Sequence, residues 1–391
     1  MTNTPLNKSE SIASQSTLTD SQLQLSCHTH LSGHRPISPA DNFSAMAKWC
    51  EENGVTHDTY GSGKLIQDFE KKIADRLGFE SALFCITGTM AQATALRIAC
   101  AKGGSPLVAV HPTSHILLHE DSNYQLLNSF KTIQIGSPFR TLSVDDLRSV
   151  PDKLGAAVLE IPMREIGGQC LAWDELTAFK NYCNDGEIHL HMDGARLWEV
   201  VAAYGRSEKE IAEGFNSVYV SLYKGMHGMG GAMLLGKTNF IAEARKWTSR
   251  YGGSVYHRTP YVVSAAMQFD SRIAAMPDCY RRTVWLYEVL KDYPLIVPNP
   301  SVPQANMLHL HMPVSRERAI HIRNRIAAQH GVWLFGGVRH AALPNHCSIE
   351  LYVGDNLVNM PDQRLREILN LWCDKLTEEA ETDSTYVNAD I

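Results

Sequence analysis

Seven short apolar runs follow one another between residues 81 and 236: SALFCI, PLVAVHP, KTIQIG, GAAVLEIP, EIHLHMDG, SVYVSLYKG and GGAMLLG. Continuous apolar strands separated by helical segments are buried on both faces, which calls for a parallel or mixed sheet with helices on either side. Upstream, KLIQDFEKKIADRL places Leu65, Phe69, Ile73 and Leu77 at four-residue spacing and predicts an amphipathic helix over 64–77. SALFCI, the turn TGT and the helical pattern MAQATALRIACA then make half of a parallel β-α-β unit. The pattern predicts a large α/β domain over 27–265. A smaller C-terminal α/β domain is expected over 266–378, with strands in ANMLHLHM, GVWLFGG and CSIELYVG and a closing helix in PDQRLREILNLWCDKL. Residues 1–26, rich in Ser, Thr, Asn and Gln, read as a mobile leader, and 379–391 as a polar tail.

Bulk properties narrow the partners. A net charge of −6 gives no reason to expect nucleic acid or an anionic membrane. No apolar run approaches the roughly 18–20 residues of a membrane span. Nine cysteines without a C-x-x-C pair argue against a disulfide framework or a cysteine zinc site, and a reducing cytoplasm is the expected setting.

Residues 223–238, YKGMHGMGGAMLLGKT, hold two candidate catalytic lysines. From Gly231, GAMLLGKT fits the phosphate-loop pattern G-x-x-x-x-G-K-[ST]. Its wildcard positions are Ala, Met, Leu and Leu, however, which make a strand, whereas a phosphate loop curls its backbone N–H groups around an anion. Lys237 is thus a turn lysine. Lys224 follows the strand SVYVSLY, and Asp193 ends the strand of EIHLHMDG, so both sit where α/β sheets carry their sites. A lone Lys-Gly or Asp-Gly is usually a surface turn, but this pair suits pyridoxal phosphate. The amine forms a Schiff base with the aldehyde, and the carboxylate keeps the ring nitrogen protonated. Thr87, Gly88 and Thr89 lie where a strand hands over to a helix, a cradle for a phosphate as well as an ordinary helix cap. His115, a few residues past the next strand, can stack on a ring or simply be a surface histidine. The His-x-His pairs 28/30, 189/191 and 309/311 were weighed as metal ligands; with Asp193 better used otherwise, no metal is expected.

In combination, DTYGSG, LFCITGTMAQ, SHILLHE, HMDGARLWE and SLYKGMHGMGGAMLLG resemble the β-eliminating lyase/threonine aldolase family of fold-type-I pyridoxal-phosphate enzymes. The resemblance runs from about Ser32 to the final helix. It implies a fold-type-I transferase-like large domain with a mostly parallel sheet and a smaller C-terminal domain. It assigns the Schiff base to Lys224, the ring nitrogen to Asp193, ring stacking to His115, and the phosphate to Gly88 and Thr89, with Ser221 in the same cofactor set. Arg196 would approach the cofactor hydroxyl and the substrate carboxylate, Ser32 would help hold that carboxylate, and Arg258 would reach the phosphate of a neighbouring subunit in a homodimer or homotetramer. Two departures stand out. Met163 and Arg164 replace a family histidine segment, and Glu350 falls where the family has a carboxylate-binding arginine. A Glu cannot offer the bidentate fork, so either Arg164 or Arg339 takes over that role or the substrate is not a simple α-amino acid. The implied reaction is threonine-aldolase-like cleavage of a β-hydroxy-α-amino acid. β-Elimination is the alternative chemistry, and a non-catalytic binding protein on the same fold is a remoter one.

Overall fold

The computed structural model describes residues 18–127 and 130–387. All seven predicted apolar runs are strands of one sheet: β1 (Ser81–Cys85), β2 (Leu107–Val110), β3 (Lys131–Gln134), β4 (Ala156–Glu160), β5 (His189–Gly194), β6 (Ser217–Ser221) and β7 (Ala232–Gly236). Their spatial order is β1-β7-β6-β5-β4-β2-β3. β3, β2, β4, β5 and β6 pair in parallel; β7 runs antiparallel to both β6 and β1. β1 therefore points the same way as β6, and the C-terminal ends of six strands share one edge.

Both sheet faces are covered, as the unbroken apolar runs require. Along β1, Ala82 and Phe84 join the core that also holds Phe69, Leu159, Met192 and Trp198. Leu83 and Cys85 point the other way, toward Ala91, Ala95, Leu234 and Phe240. The helix Lys64–Leu77 has the predicted bounds and buries Ile66, Phe69, Ile73 and Leu77. It ends because Gly78 adopts φ 75°, a left-handed stop that favours glycine.

The C-terminal layer is a four-stranded antiparallel sheet: β8 (Val297–Asn299), β9 (Met307–Met312), β10 (Val338–His340) and β11 (Cys347–Tyr352), in the order β10-β11-β9-β8. It has its own core around Leu308, Leu310, Ile349 and Trp372. GVWLFGG contributes only Val332 and Trp333 as strand, and these pair in parallel with Thr29 and His30.

Both ends differ from expectation. Part of the leader is a helix, Asp20–Ser26, closed by a capping box in which the Thr19 hydroxyl accepts from Gln22 N–H and the Gln22 side chain accepts from Thr19 N–H. Leu23 and Cys27 are buried against Ala327 and Trp333, and Asp20 pairs with Arg323. That burial orders a segment whose composition reads as mobile. The leader's first seventeen residues lie outside the described residues. The closing helix runs Asp362–Val387, well into the expected tail, and Arg318 holds it by donating to the Glu379 carbonyl at 2.7 Å. No helix among the described residues is long and apolar enough to cross a membrane.

Candidate active site

The shared strand edge brings the sequence-derived residues together. Asp193, next to last in β5, is buried, with 4% of the residue exposed. One carboxylate oxygen accepts from Ala195 N–H at 3.0 Å and the other from the Gln92 side-chain amide at 3.0 Å. Gln92 also donates to Glu120 at 3.2 Å, and Glu120 meets His115 Nδ1 at 3.1 Å. Asp193 and His115 are thus joined through Gln92 and Glu120, whose roles went unread although both lie inside the quoted motifs. Glu160, the β4 residue paired with Asp193 in register, accepts from His115 N–H at 2.5 Å. Burial, reinforced by the Asp193 charge, pushes the Glu160 carboxyl up to about 8, so this strand pair avoids two adjacent buried charges at neutral pH.

The turn after β1 caps the helix Gly88–Gly103. The Thr87 hydroxyl accepts from Met90 N–H at 3.2 Å and its carbonyl from Ala91 N–H, leaving Gly88 and Thr89 N–H at the open helix end. Only glycine fits at position 88, because a Cβ there would lie 2.2 Å from the Tyr219 hydroxyl.

Lys224 lies three residues beyond β6. Burial, with the nearby Arg196 guanidinium, lowers its pKa from 10.5 to about 8, while Asp193 and Glu199 act against that shift. At pH 7 this raises the neutral share of the amine from about 1 in 3000 to about 1 in 10. Glu199, another unread member of a quoted motif, accepts from the Tyr352 hydroxyl at 3.2 Å and is pushed up to about 7 by burial. Ser221 donates its hydroxyl to the Ala195 carbonyl at 2.7 Å, tying the strand end of Lys224 to that of Asp193. Lys237 sits differently: it is exposed and immediately precedes the helix Thr238–Arg250, after a strand and not a phosphate loop.

Glu350 meets the arginines at the boundary with the C-terminal sheet. Its carboxylate lies 2.7 Å from Arg164 Nε, 3.7 Å from Arg196, 3.6 Å from Arg339 and 4.0 Å from His309. Glu165 takes Arg339 at 2.6 Å, Arg164 at 3.2 Å and His119 at 3.0 Å. Arg164 and Arg339 therefore both lie beside Glu350, and both are already engaged by carboxylates of this chain. The Ser32 hydroxyl accepts from Tyr352 N–H at 3.1 Å, on the strand that carries Glu350.

Arg258 is buried beside β1. Asp58 fixes its backbone, accepting from Arg258 N–H at 2.7 Å and Thr259 N–H at 2.8 Å. The resemblance aimed this arginine at a neighbouring subunit; within the chain its guanidinium lies against the Phe84 carbonyl at 3.4 Å, just ahead of Thr87. The weighed histidine pair 189/191 is structural, both rings meeting the Ser217 hydroxyl at 2.8 Å.

Buried polar atoms without partners test whether these residues fit a pyridoxal-phosphate group. Gln92 Oε1, Arg196 Nε, Glu199 Oε2 and Arg258 Nε are all buried without a hydrogen bond, Arg196 Nε and Glu199 Oε2 facing one another only at ion-pair distance, 3.9 Å. Together with a depressed lysine, a buried strand-end aspartate and an open helix N-terminus, they suit an anionic ring carrying an aldehyde and a phosphate. The residues fit.

A seven-stranded, mostly parallel sheet with a lysine and an aspartate at its C-terminal edge is the fold-type-I architecture. The chain belongs to the β-eliminating lyase family, whose model matches residues 38–313. A structure from Listeria monocytogenes EGD-E, provisionally named an L-allo-threonine aldolase, is 34% identical with a TM-score of 0.85, covering 90% of this chain and 98% of that one. An Exiguobacterium sp. 255-15 structure, provisionally named an aromatic amino acid β-eliminating lyase/threonine aldolase, is also 34% identical with a TM-score of 0.85, over 90% and 99% of the two chains. The low specificity L-threonine aldolase of Escherichia coli K12 is 26% identical over 243 residues, 61% of this chain and 72% of that enzyme. A Sphingomonas wittichii serine palmitoyltransferase shares the fold at 14% identity and a TM-score of 0.67, over 88% and 85% of the two chains. The chain is a lyase, in a family whose threonine aldolases depend on pyridoxal phosphate.

Proposed function

We propose that this chain binds pyridoxal phosphate and cleaves a β-hydroxy-α-amino acid to glycine and an aldehyde, as a threonine aldolase does. The observation that carries the reading is the half-buried Lys224 amine, depressed to about 8, at the same sheet edge as the buried Asp193 carboxylate. When bound, the cofactor supplies an aldehyde for an amine to condense with and a protonated ring that accepts the electron pair released at Cα. Lys224 Nζ would provide that amine and move protons from it. Asp193 would face the ring nitrogen, His115 the ring, and Gly88 and Thr89 N–H the phosphate, with Arg258 and Ser221 supporting. Arg196, Arg164, Arg339 and Ser32 would serve the substrate end.

Charge balance supports a single substrate carboxylate there. Arg164, Arg196 and Arg339 bring three positive charges against Glu165, Glu350 and Glu199, which lies 3.9 Å from Arg196. Because burial pushes the Glu199 carboxyl up to about 7, it is only partly ionised at neutral pH and part of one positive charge is left unmatched. Losing a charge-assisted bond to a carboxylate costs about 1.5–3 kcal/mol, roughly ten- to a hundredfold in affinity. Arg164→Ala should therefore raise KM by that order and leave cofactor absorbance unchanged. Adding Glu350→Gln should recover part of the loss, because it restores the net positive charge. A wild-type KM in Arg164→Ala, with failure in Arg339→Ala, would move the role to Arg339.

We also propose a homodimer or homotetramer. Tyr60, Tyr223, Met229, Val255 and Tyr256 are exposed, and the Tyr60 and Tyr256 rings lie 5.2 Å apart. Exposed aromatic groups of this kind commonly mark association surfaces. A fully active monomer by light scattering at micromolar concentration would rule it out. Nine unpaired cysteines suit a cytoplasmic setting.

The reaction is tested by assaying L-threonine, L-allo-threonine, phenylserine, cysteine and tyrosine side by side. Glycine and aldehyde from the first three support the proposal. Ammonia and a keto acid from cysteine or tyrosine, without glycine, would favour β-elimination and overturn the aldol reading. No turnover with any substrate and no cofactor uptake would favour a binding scaffold.

A further inference from the structure

The loop that follows Lys224 holds His227 at φ 58°, a left-handed conformation that favours glycine over a residue with a side chain. Nothing in the proposed reaction calls for it. In this conformation the His227 ring stands edge-on to His34, with centroids 3.7 Å apart and planes at 73°. Nε2 of both rings is buried and has no hydrogen-bond partner. The unsatisfied His227 ring in particular points to a missing ligand, since His34 already meets Asp355 through Nδ1.

The surroundings supply a third donor. His34 Nδ1 lies 2.9 Å from an Asp355 carboxylate oxygen, a spacing that two ligands of one ion can share, and accepts from Asp355 N–H at 3.2 Å. His34, His227 and Asp355 each offer one ligand atom, and these atoms lie within 4.8 Å of one another, the single such group among the described residues. Two ligands with bonds of about 2.0–2.2 Å to one ion stand no more than about 4.4 Å apart, so the three atoms would draw together slightly around it. Arg272 donates to both Asp355 oxygens at 2.9 Å and approaches His34 Nδ1 at 3.4 Å. It balances the carboxylate charge, yet each carboxylate oxygen keeps lone pairs free. Because two of the three donors are imidazoles, the set favours a zinc-class transition metal over calcium or magnesium. Both histidines also line a cavity of about 360 Å³ with Lys224, Tyr223, Asp41 and Gln268, which gives an ion a way in and water or substrate oxygen a place to complete its shell.

We propose that His34, His227 and Asp355 form a binding site for a divalent transition-metal ion in the wall of the cavity shared with Lys224. The three ligands come from separate parts of the chain, and none of the His-x-His pairs weighed in the sequence contributes. The site stands on its own geometry and is independent of the reaction proposed above.

Cobalt(II) is the probe. The full-length protein with cofactor, stripped by chelator and dialysed against micromolar Co²⁺, should retain one equivalent of metal by elemental analysis. His227→Gly is the decisive variant, since glycine takes the left-handed conformation freely and the fold is kept. It should weaken uptake by at least the about 10–100-fold that loss of a supporting group costs a metal site. His34→Asn should do the same. Failure of the wild-type protein to hold Co²⁺, or equal uptake by either variant, would overturn the site whatever the enzyme's substrate proves to be.

Discussion

Replacing Lys224 with alanine should reduce turnover by at least about 10²–10⁴-fold, the range for a positioned acid–base group alone. It should also abolish the yellow absorbance of lysine-linked cofactor. The loss has two sources: the amine that bonds the cofactor disappears, and so does the proton carrier at the reacting carbon. The fold should survive, because burial and Arg196 already oppose the Lys224 charge and alanine removes that conflict. The melting temperature of the cofactor-free variant should match or exceed that of wild type. Lys237→Ala is the control. That side chain is exposed next to a helix start, so its removal should leave absorbance and turnover unchanged. Reversed outcomes for the two lysines would refute the site.

Asp193→Asn should lower turnover by at least about 10²-fold while cofactor still binds, because a preorganised negative charge facing the ring nitrogen is lost without a change in size. Local bonding can adapt: the Asn carbonyl can accept from Ala195 N–H, and Gln92 has an unpaired Oε1 that can turn to meet the new amide. The substitution also removes a charge that helps keep Glu160 protonated, so the Glu160 titration should fall from about 8. Near-normal turnover with intact cofactor binding would separate Asp193 from the chemistry.

Much of this was legible in the sequence because it depends on local signals. Apolar strands ending in Asp193 or just ahead of Lys224 declare both their burial and the edge on which they stop. The helix Lys64–Leu77 announces its face by spacing and its end by Gly78. One further local signal is the Thr19-x-x-Gln22 capping box that starts the helix Asp20–Ser26. What composition hid was Leu23 and Cys27 docking on Trp333, a contact made across some three hundred residues. The same distance problem governs the polar groups. Arg164 and Glu350 are 186 positions apart and meet at 2.7 Å, so the sequence could propose that Arg164 replaces a family arginine but not that Glu350 would bind it. His34 and His227 face one another because the Thr29–His30 strand pairs beside Val332 and Trp333 and the loop after Lys224 turns left-handed.

Borohydride reduction of the purified protein with its cofactor, followed by peptide mass mapping, tests the central claim most directly. Reduction fixes the cofactor to whichever amine holds it. The account predicts a single modified peptide carrying the adduct on Lys224. An adduct on Lys237, on another lysine, or on none would contradict it.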